Sequence, residues 1–523
     1  MLSTMQDVPL NVSQILRHGA SIHPHSRVVT WTEHGPRERS FAQVGARAAQ
    51  LAHALRELGI TGDERVATLM WNNAEHLEAY LAVPSMGAVL HTLNLRLPAD
   101  QLTYIVNHAD DRVILVDDSL RPLLEPLLPE MPGVRHVVTV DELIDGQPDT
   151  FDWPELDERT AAAMCYTSGT TGHPKGVVYS HRSVYLHAMQ VNMVRVLGSG
   201  PEDTVLPVVP MFHVNAWGVP HSSFLSGVNL LLPDRFAHPE PLAEMIAAVR
   251  PTHAAGVPTV WQQLLTVEPL EVSSLRSLVI GGSACPPALI RAYDERGVRV
   301  NHAWGMTEMS PLGTVAEPPP GLTPAEEYGY RVTQGRFRAG VQARLAGPGG
   351  EILPWDGAGV GELEVRGPWI AAAYYGGAGA EPQRPEDRFS PDGWLRTGDV
   401  GTITPDGYLT LTDRAKDVIK SGGEWISSME LENHLMDHPA VVEAAVVAVP
   451  DEKWGERPLA TVVLSGEVTF EELRLFLAQR IPRWQLPERW ALIASVPKTS
   501  VGKFDKKVLR GQYAAGELRV TQL

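Results

Sequence analysis

A loop rich in hydroxyl groups, glycines and one lysine occupies residues 166–176, and its residue types suit phosphate chemistry. It reads YTSGTTGHPKG and follows the apolar run 161–164. Glycine lets backbone N–H groups approach phosphate oxygens, hydroxyls add donors, and Lys175 supplies a mobile positive charge. The spacing differs from the G-x-x-x-x-G-K-[ST] loop of the common NTPases. The segment predicts a phosphate site, and composition alone leaves a flexible polar loop as the alternative.

Carboxylates and a lysine further along the chain also suit a nucleotide. Glu308 ends the run WGMTE, Asp399 ends the turn-forming TGD, and Lys503 ends the loop SVGK. Glu308 can place Mg²⁺ or begin a helix, and Asp399 can accept hydrogen bonds from ribose hydroxyls or lie at the surface. Lys503 can bridge a carboxylate and a phosphate, but the basic residues that follow it leave a solvated surface as the alternative.

Five motifs follow the hydroxyl-rich loop in a fixed order. They are PMFHVNAWG at 210–218, AWGMTEMSP at 303–311, GWLRTGDVG at 393–401, DRAKDVIKSGGEWISS at 413–428 and PKTSVGKFDKKVLR at 497–510. With the loop, they resemble the adenylate-forming superfamily of acyl-CoA synthetases, nonribosomal peptide adenylation domains and beetle luciferases. The resemblance extends along nearly the whole chain. One such match is weak, whereas the set in this order is very specific.

The resemblance implies ATP, Mg²⁺ and CoA as ligands and assigns nucleotide contacts by position. The loop residues that would hold the β- and γ-phosphates are Thr167, Ser168, Gly169, Thr170, Thr171, Gly172 and Lys175. The other nucleotide contacts would be Gly282, Ser283, Ala303, Trp304, Gly305, Met306, Thr307, Asp399, Arg414, Lys416, Lys420, Trp425 and Lys503. Thr307 would donate to the α-phosphate, and Thr167 and Glu308 would place Mg²⁺. Asp399 and Arg414 would hold the ribose.

Trp304 departs from the family pattern, because many relatives carry Tyr in contact with adenine at this position. The larger indole ring still stacks on a purine, so we predict no change of nucleotide. Trp425 is expected to pack near the adenylate.

Two lysines divide the two half-reactions in the resemblance. Lys503 would act in adenylate formation, and Lys420 would belong to the face used in thioester formation. The C-terminal domain would rotate between the two steps about a hinge at Lys416. Ser421, Gly422 and Gly423 would line the tunnel for the CoA pantetheine, where glycine leaves room for a slender arm.

The carboxylic acid would bind among aromatic and small residues. The positions implied are His213, Val214, Asn215, Trp217, Gly281 and Gly282. An aromatic group beside small residues suits an apolar acid. The stretches HVNAW and SGGEWISS resemble medium- and long-chain fatty acyl-CoA synthetases, in which Trp217 would be the gate of the acyl tunnel. An ordinary core aromatic is the alternative for Trp217.

Charge and composition exclude several classes of protein. The 523 residues contain 44 Lys plus Arg against 62 Asp plus Glu, a formal net charge of −18 that disfavours sequence-independent nucleic-acid binding. Two cysteines without Cys/His clusters predict neither a disulfide framework nor a zinc site. The N-terminus has no signal-peptide pattern, and no apolar run reaches the ~18 residues of a membrane span. We therefore expect a cytoplasmic enzyme.

Alternating patterns predict an α/β fold for the first part of the chain. Residues 41–58, 74–83 and 101–108 show helical spacing, and 66–71, 88–93 and 113–116 read as buried strands, which favours helix-covered sheets. Dense Gly and Pro at about 318–412 predict a small β-barrel-like unit within an N-terminal domain, 1–412. Residues 413–523 would form a small mobile α+β domain that carries Lys420 and Lys503.

The sequence therefore predicts an AMP- and pyrophosphate-forming acyl-CoA synthetase, with a medium- or long-chain fatty acid as substrate. One alternative is a ligase that loads an acyl group onto the pantetheine of a carrier protein, and another is a ligase for aromatic acids. A nucleotide-binding protein without catalysis is the alternative of a different class. The branch resemblance also implies a homodimer.

Overall fold

In the computed structural model the chain forms three β-sheets with helices packed around them. The structure describes residue 1 and residues 3–167, 173–193, 196–347, 349–414, 417–421, 424–499 and 504–523, with only the backbone at 424 and 425. The sheets contain six, fourteen and six strands. The predicted α/β class is confirmed, with a large N-terminal part and a small C-terminal part.

The regular elements follow in chain order. Up to residue 144 they are α1 Val12–Ile22, β1 Arg27–Thr32, β2 Gly35–Ser40, α2 Phe41–Glu57, β3 Arg65–Leu69, α3 Ala74–Ser85, β4 Val89–Thr92, α4 Ala99–Ala109, β5 Asp111–Val116, α5 Arg121–Leu124, β6 His136–Val138 and α6 Val140–Ile144. Up to residue 315 they are β7 Ala161–Tyr166, β8 Gly176–Ser180, α7 His181–Val191, β9 Thr204–Pro207, α8 Val219–Ser226, β10 Asn229–Leu232, α9 Pro239–Val249, β11 His253–Gly256, α10 Pro258–Leu264, β12 Ser277–Ile280, α11 Pro287–Asp294, β13 Arg299–Gly305 and β14 Leu312–Val315.

The remaining elements belong to the β-rich segment and the C-terminal part. Up to residue 414 they are α12 Pro324–Arg331, β15 Gly335–Phe337, β16 Gln342–Ala346, β17 Ile352–Leu353, β18 Gly361–Arg366, β19 Leu395–Ile403 and β20 Tyr408–Arg414. Beyond it they are β21 Ile419–Ser421, β22 Glu424–Ile426, α13 Ser428–Met436, β23 Val441–Asp451, β24 Gly455–Leu464, α14 Phe470–Ala478, β25 Arg489–Leu492, α15 Lys506–Ala514 and β26 Val520–Gln522.

Helix α2 shows how local sequence sets an element. Ser40 and Gln43 form a reciprocal capping box at its start, and Gly59 follows its end with φ +87°. Its apolar face is buried, and Phe41 stacks on Phe224 of α8 with ring centroids 4.0 Å apart. The predicted helix at 41–58 is confirmed.

One sheet of six strands positions the hydroxyl-rich loop. Its order is β6-β5-β3-β4-β7-β8, and every neighbouring pair is parallel except β7 and β8. The antiparallel pairing of Tyr166 with Gly176 brings the two ends of the loop together. The loop therefore leaves the carboxyl end of a strand in a parallel sheet, which is the usual edge for ligands.

The fourteen-stranded sheet joins a parallel half to an antiparallel half. Its order is β17-β16-β18-β19-β20-β15-β14-β13-β12-β11-β9-β10-β1-β2. Strands β12 and β13 run parallel, so their carboxyl ends place residues 281–283 beside residues 306–308. The β-rich segment predicted at about 318–412 contributes β15 to β20, and these strands continue the same sheet through β14.

The C-terminal part has its own sheet and core. Strands β22, β21, β24, β25 and β26 pair in this order, and β23 pairs with β24. Trp490 and Leu477 are fully buried in the core between this sheet and its helices. The helices and strands that the sequence predicts between 430 and 493 are confirmed. Among all the residues that the structure describes, in both parts of the chain, no helix is long and apolar enough to cross a bilayer.

Candidate active site

A cavity of about 270 Å³ lies where the N-terminal six-stranded sheet, which contains β7 and β8, meets the fourteen-stranded sheet. The predicted site residues that line it are Thr167, Lys175, His213, Val214, Trp217, Gly281, Gly282, Ala303, Trp304, Gly305, Met306, Thr307, Glu308 and Arg414. Thr397 also lines it, so the structure brings together residues from the hydroxyl-rich loop and from four of the five motifs that follow it. Ser168, Gly169, Thr170, Thr171, Gly172, Lys416, Gly422, Gly423, Lys503 and the side chain of Trp425 lie outside the described residues.

The described ends of the hydroxyl-rich loop are fixed by backbone and ring contacts. The N–H of Thr167 donates to the carbonyl of Lys175 over 2.9 Å. The ring of His173 stacks on Tyr104 of α4 with centroids 4.2 Å apart. Lys175 Nζ lies 5.0 Å from the ring centroid of Tyr374, a cation–π contact. The lysine is therefore aimed into the cavity beside an aromatic wall.

Glu308 is buried beside two residues for which the sequence held no motif signal. Its Oε1 accepts a 2.6 Å hydrogen bond from the hydroxyl of Tyr374 and a 3.0 Å bond from Arg388 Nη2. Burial and then the charge of Glu308 raise the pKa of Tyr374, so the phenol stays protonated and donates. Burial opposes the charge on Arg388, but the Glu308 carboxylate raises its pKa above the usual value.

The donor set at Glu308 fits Mg²⁺. The described residues contain no cluster of three His, Cys, Asp or Glu side chains that could hold a metal alone. Mg²⁺ needs no such cluster, because it commonly takes one or two carboxylates together with substrate phosphates and water. Both hydrogen bonds to Glu308 end on Oε1, so Oε2 is the oxygen that Glu308 would offer, and Thr167 lines the same cavity.

Asp399 contacts two other predicted nucleotide-binding residues, Trp304 and Arg414. Its Oδ2 accepts a 2.9 Å hydrogen bond from Trp304 Nε1, and its Oδ1 lies 3.2 Å from Nε of Arg414. Asp399 and Arg414 are also direct neighbours in the pairing of β19 with β20. The Thr397 hydroxyl accepts from the Asp399 N–H over 3.1 Å. The carboxylate predicted to hold the ribose is therefore oriented from both sides.

Two glycines line the cavity at positions where no side chain would fit. A Cβ on Gly281 would lie 2.8 Å from the Ala303 carbonyl oxygen and 3.6 Å from Cη2 of Trp217. A Cβ on Gly305 would lie 1.8 Å from the carbonyl oxygen of Pro311. Both distances to the carbonyl oxygens are below those that real Cβ atoms show, so only glycine fits these backbones.

The acid side is built on a left-handed turn. Val214, Asn215, Ala216 and Trp217 have φ between 47° and 55°, a conformation that costs roughly 1–2 kcal/mol for each L-residue. The turn directs Trp217 into the cavity. It directs Asn215 away, because Asn215 Oδ1 accepts a 3.3 Å bond from the thiol of Cys165. Asn215 therefore does not line the cavity.

A wall of apolar residues lines the acid side of the cavity, and the sequence motifs did not predict these residues as part of the site. The wall residues are Val191, Val196, Leu197, Val219, Ala255, Val279, Pro311 and Leu312. They come from α7, its following loop, the start of α8, the carboxyl ends of β11 and β12, and the start of β14 with the residue before it. The only signal in the sequence was their apolar character, which they share with the rest of the core.

A second cavity of about 780 Å³ lies between the N-terminal and C-terminal parts. Ser283 and Asp399 line this cavity, and Gly282, Ala303, Trp304, Gly305 and Arg414 border both. From the C-terminal side it is lined by Glu432 and Lys506, whose Oε1 and Nζ lie 2.7 Å apart. Burial raises the pKa of Glu432 to about 7.

Lys420 and Ser421 border neither cavity in this conformation. Lys420 lies exposed on β21, and its backbone N–H donates to Glu456 Oε2 over 2.8 Å. The Ser421 hydroxyl accepts a 3.2 Å bond from Arg457 Nη1. In this conformation Lys420, itself one of the predicted nucleotide contacts, therefore lies apart from those that line the cavities, as does Ser421.

Comparisons with known proteins agree with this geometry. The model of the AMP-binding enzyme family matches residues 16–375, and the model of the AMP-binding enzyme C-terminal domain matches residues 430–503. A 3-methylmercaptopropionyl-CoA ligase of Ruegeria pomeroyi is 44% identical, over 98% of this chain and 99% of that protein. A long-chain-fatty-acid–CoA ligase of Thermus thermophilus is 43% identical, over 98% of this chain and 97% of that protein.

Solved structures of the same group superimpose over almost the whole chain. The anthranilate CoA ligase AuaEII, in complex with anthranoyl-AMP, matches with a TM-score of 0.87 and 25% identity over 98% of this chain and all of that one. ATP-bound MatB from Rhodopseudomonas palustris matches with a TM-score of 0.83 and 25% identity, over 96% and 99%. The predicted resemblance to adenylate-forming enzymes is thereby confirmed. The chain belongs to the AMP-binding enzyme family and is an AMP-forming acid–CoA ligase that uses ATP, Mg²⁺ and CoA.

Proposed function

We propose that the acid activated by this ligase is a medium- or long-chain fatty acid. The observation that carries the proposal is the apolar wall of the cavity, which offers an acyl chain valine, leucine and alanine side chains. Burial of a CH₂ group is worth about 0.8 kcal/mol, so such a wall favours longer aliphatic acids over short polar ones. A medium-chain-fatty-acid–CoA ligase of Ectopseudomonas oleovorans, 42% identical, supports the same class.

In the first half-reaction the carboxylate attacks the α-phosphate of ATP and pyrophosphate leaves. Two anions must approach each other, so catalysis depends on positioning and on cations aimed at the transition state. By resemblance, Thr307 would donate to the α-phosphate, and its carbonyl accepts a 2.8 Å bond from the Tyr179 hydroxyl that helps to fix its backbone. Mg²⁺, held by Glu308 and Thr167, would neutralise phosphate charge. By resemblance, Lys503 would meet the attacking carboxylate.

In the second half-reaction the CoA thiol attacks the acyl carbonyl and AMP leaves. We assign this step to a different orientation of the C-terminal domain, with Lys416 as the hinge. Ser421, Gly422 and Gly423 would then line the pantetheine tunnel. Lys420 is exposed on β21, and neither Lys420 nor Ser421 borders a cavity in this conformation, which is consistent with such an exchange of faces.

Trp217 would be the residue that admits the acid. Its ring lies between the left-handed turn and Gly281, where it can separate the phosphate side of the cavity from the apolar wall. We propose that it is the gate of the acyl site. The resemblance to the fatty acyl branch also supports a cytoplasmic homodimer, which sedimentation of the purified protein would test.

A panel of acids tests the proposal directly. Acetate, butyrate, octanoate, palmitate, 3-methylthiopropionate and cinnamate are each incubated with ATP, Mg²⁺ and CoA, and acyl-CoA and AMP are measured. We expect kcat/KM to be highest for octanoate or palmitate. A maximum for 3-methylthiopropionate or for cinnamate would refute the fatty-acid assignment and leave ligase activity intact. Transfer to a carrier protein but not to free CoA would instead identify a carrier-loading enzyme.

A further inference from the structure

The side chains of Glu308, Tyr374 and Arg388 form a closed network of three hydrogen bonds. Arg388 Nη2 donates to Glu308 Oε1 over 3.0 Å, and Arg388 Nε donates to the Tyr374 hydroxyl over 3.1 Å. The Tyr374 hydroxyl in turn donates to the same Oε1 over 2.6 Å. A guanidinium group therefore neutralises the only carboxylate predicted to hold Mg²⁺.

Arg388 is fixed by its backbone and open at its side chain. Its N–H donates to the Pro385 carbonyl over 2.9 Å, and its carbonyl accepts from the Arg396 N–H over 2.8 Å. The side chain of Arg388 is 23% exposed, whereas that of Glu308 is 5% exposed. Arg388 lines the nucleotide cavity, so its accessible guanidinium surface faces the space that ATP must enter.

The position of Arg388 relative to Lys175 indicates which part of ATP it meets. Lys175, the lysine of the hydroxyl-rich loop, lies over the ring of Tyr374, while Arg388 contacts the hydroxyl of the same tyrosine. Both cations thus contact the same tyrosine, on the side of the cavity where the resemblance places the β- and γ-phosphates. The ribose side is instead occupied by Asp399, Trp304 and Arg414.

Chemistry explains why a guanidinium suits this place. Arginine presents a planar fork of donors that binds phosphate oxygens in pairs, and it stays charged at every physiological pH. Arg388 uses Nε and Nη2 for Tyr374 and Glu308, whereas Nη1 lies 3.8 Å from the position of a Cβ on Gly398 and takes part in neither bond.

We propose that Arg388 is an ATP-binding residue that contacts the β- or γ-phosphate and pyrophosphate, and that it neutralises Glu308 while the nucleotide is absent. With ATP bound, Glu308 and Thr167 would hold Mg²⁺, which would supply the positive charge that Arg388 otherwise gives to Glu308, and the guanidinium would be available for phosphate. This inference rests on the ATP-dependent activity and adds a second cation to the grip on the leaving group.

Equilibrium binding of two nucleotides separates this role from a structural one. Arg388→Met and the control Arg384→Met, an exposed arginine four positions earlier, are titrated with Mg²⁺ and an α,β-methylene analogue of ATP, and separately with AMP. We expect Arg388→Met to weaken the ATP analogue about ten- to a hundred-fold, the scale for losing hydrogen bonds between charged groups. AMP should change within about two-fold, because it has no β- or γ-phosphate.

Kinetics of the same variants provide the second readout. Arg388→Lys, which keeps the charge but loses the fork, should bind the ATP analogue with intermediate affinity. Thioester formation from a supplied acyl-adenylate has no pyrophosphate, so Arg388→Met and Arg388→Lys should reduce it less than they weaken the ATP analogue, and Arg384→Met should leave it at the wild-type rate. An equal loss for ATP analogue and AMP, or no loss beyond that of Arg384→Met, would overturn the proposal. Neither result bears on whether the chain is a ligase.

Discussion

The indole nitrogen of Trp304 donates a 2.9 Å hydrogen bond to Oδ2 of Asp399, although 95 positions separate the two residues. Trp304 ends the parallel half of the large sheet on β13, and Asp399 lies on β19 in its antiparallel half. The bond therefore joins the two halves of the sheet beside a cavity that both residues line. A tyrosine, which many relatives carry at this position, places its polar atom differently, so the tryptophan gives this carboxylate a donor of its own.

Replacing Trp304 by phenylalanine should weaken ATP binding without unfolding the protein. The variant retains an aromatic ring for the adenine but loses the donor to Asp399, and a hydrogen bond to a charged group is worth about 1.5–3 kcal/mol. We expect KM for ATP to rise about ten-fold, with a smaller effect on kcat. Steady-state kinetics with the preferred acid measure this. Trp355→Phe, at a tryptophan that is 37% exposed, is the control and should behave like the wild type.

Gly305→Ala should disrupt the nucleotide-binding part of the cavity through a steric clash. The added Cβ would lie 1.8 Å from the Pro311 carbonyl oxygen, so the backbone between β13 and β14 must shift. Overpacking of this kind costs about 1–3 kcal/mol, and the shift would carry Thr307 away from the α-phosphate. We expect a lower melting temperature and loss of acid-dependent ATP–pyrophosphate exchange.

Gly329→Ala is the matched control, because Gly329 lies in helix α12 with nothing within 4 Å of an added Cβ. It should raise stability by about 0.5–1 kcal/mol, the usual gain from alanine inside a helix, and leave the exchange rate unchanged. Equal losses in the two variants would mean that the contact with Pro311 does not explain the effect.

Much of the fold was predictable because it depends on local patterns. The apolar spacing and Gly59 define helix α2. The motifs at 303–311 and 393–401 contain residues that line the cavities, but TGD, which the sequence suggested as a turn, lies within strand β19. The pairing of β14 with β15, which joins the β-rich segment to the large sheet, was not predictable. Strand pairing depends on contacts distant in sequence, and the sequence of a short strand does not indicate which other strand it pairs with.

Two site residues show why the predicted site was incomplete. Arg388 is 80 positions from Glu308, in a stretch of Pro, Glu and Asp that resembles an ordinary surface loop. Asn215 was expected among the acid contacts because it stands between His213 and Trp217. The left-handed turn rotates its side chain toward Cys165 instead, and successive positive φ values cannot be inferred from non-glycine residues.

His187 predicts a pH effect on stability. Its Nε2 accepts a 3.2 Å hydrogen bond from the Leu312 N–H, and burial, followed by the charge of His221, lowers the pKa of His187 to about 3. The unfolded chain has the ordinary value of ~6.5, so it binds one more proton than the folded protein between these values. The contribution of His187 is fully present above pH ~6.5 and is lost as pH falls toward the folded pKa.

His187→Gln should therefore flatten the pH dependence of the unfolding free energy. Between pH ~4.5 and ~5.5 the slope should decrease by about one proton, or roughly 1.4 kcal/mol per pH unit. Guanidinium-chloride unfolding at several pH values measures the slope, and His34→Gln, at an exposed histidine, should leave it unchanged. An unchanged slope in His187→Gln would show that His187 is already protonated in the folded protein.

Lys420 and Lys503 should separate the two half-reactions. Lys420 lies on β21, exposed and remote from both cavities, and strand pairing with β22 and β24 fixes its backbone. Because it borders neither cavity in this conformation, we propose that Lys420 acts in the thioester step, and by resemblance that Lys503 acts in the first step. We expect Lys503→Ala to reduce acid-dependent ATP–pyrophosphate exchange by about 10²-fold or more, the scale for losing one group that stabilises a transition state.

The same Lys503→Ala protein should still convert a supplied acyl-adenylate and CoA to acyl-CoA. Lys420→Ala should show the opposite pattern, with exchange near the wild-type rate and slow thioester formation. Lys453→Ala, at an exposed lysine that covers the ring of Trp454, is the control for loss of a surface charge. Because each variant is measured in both steps, a general loss of folding would reduce both rates together. If either variant lowered the two rates equally while remaining folded, the two lysines would not act in separate conformations.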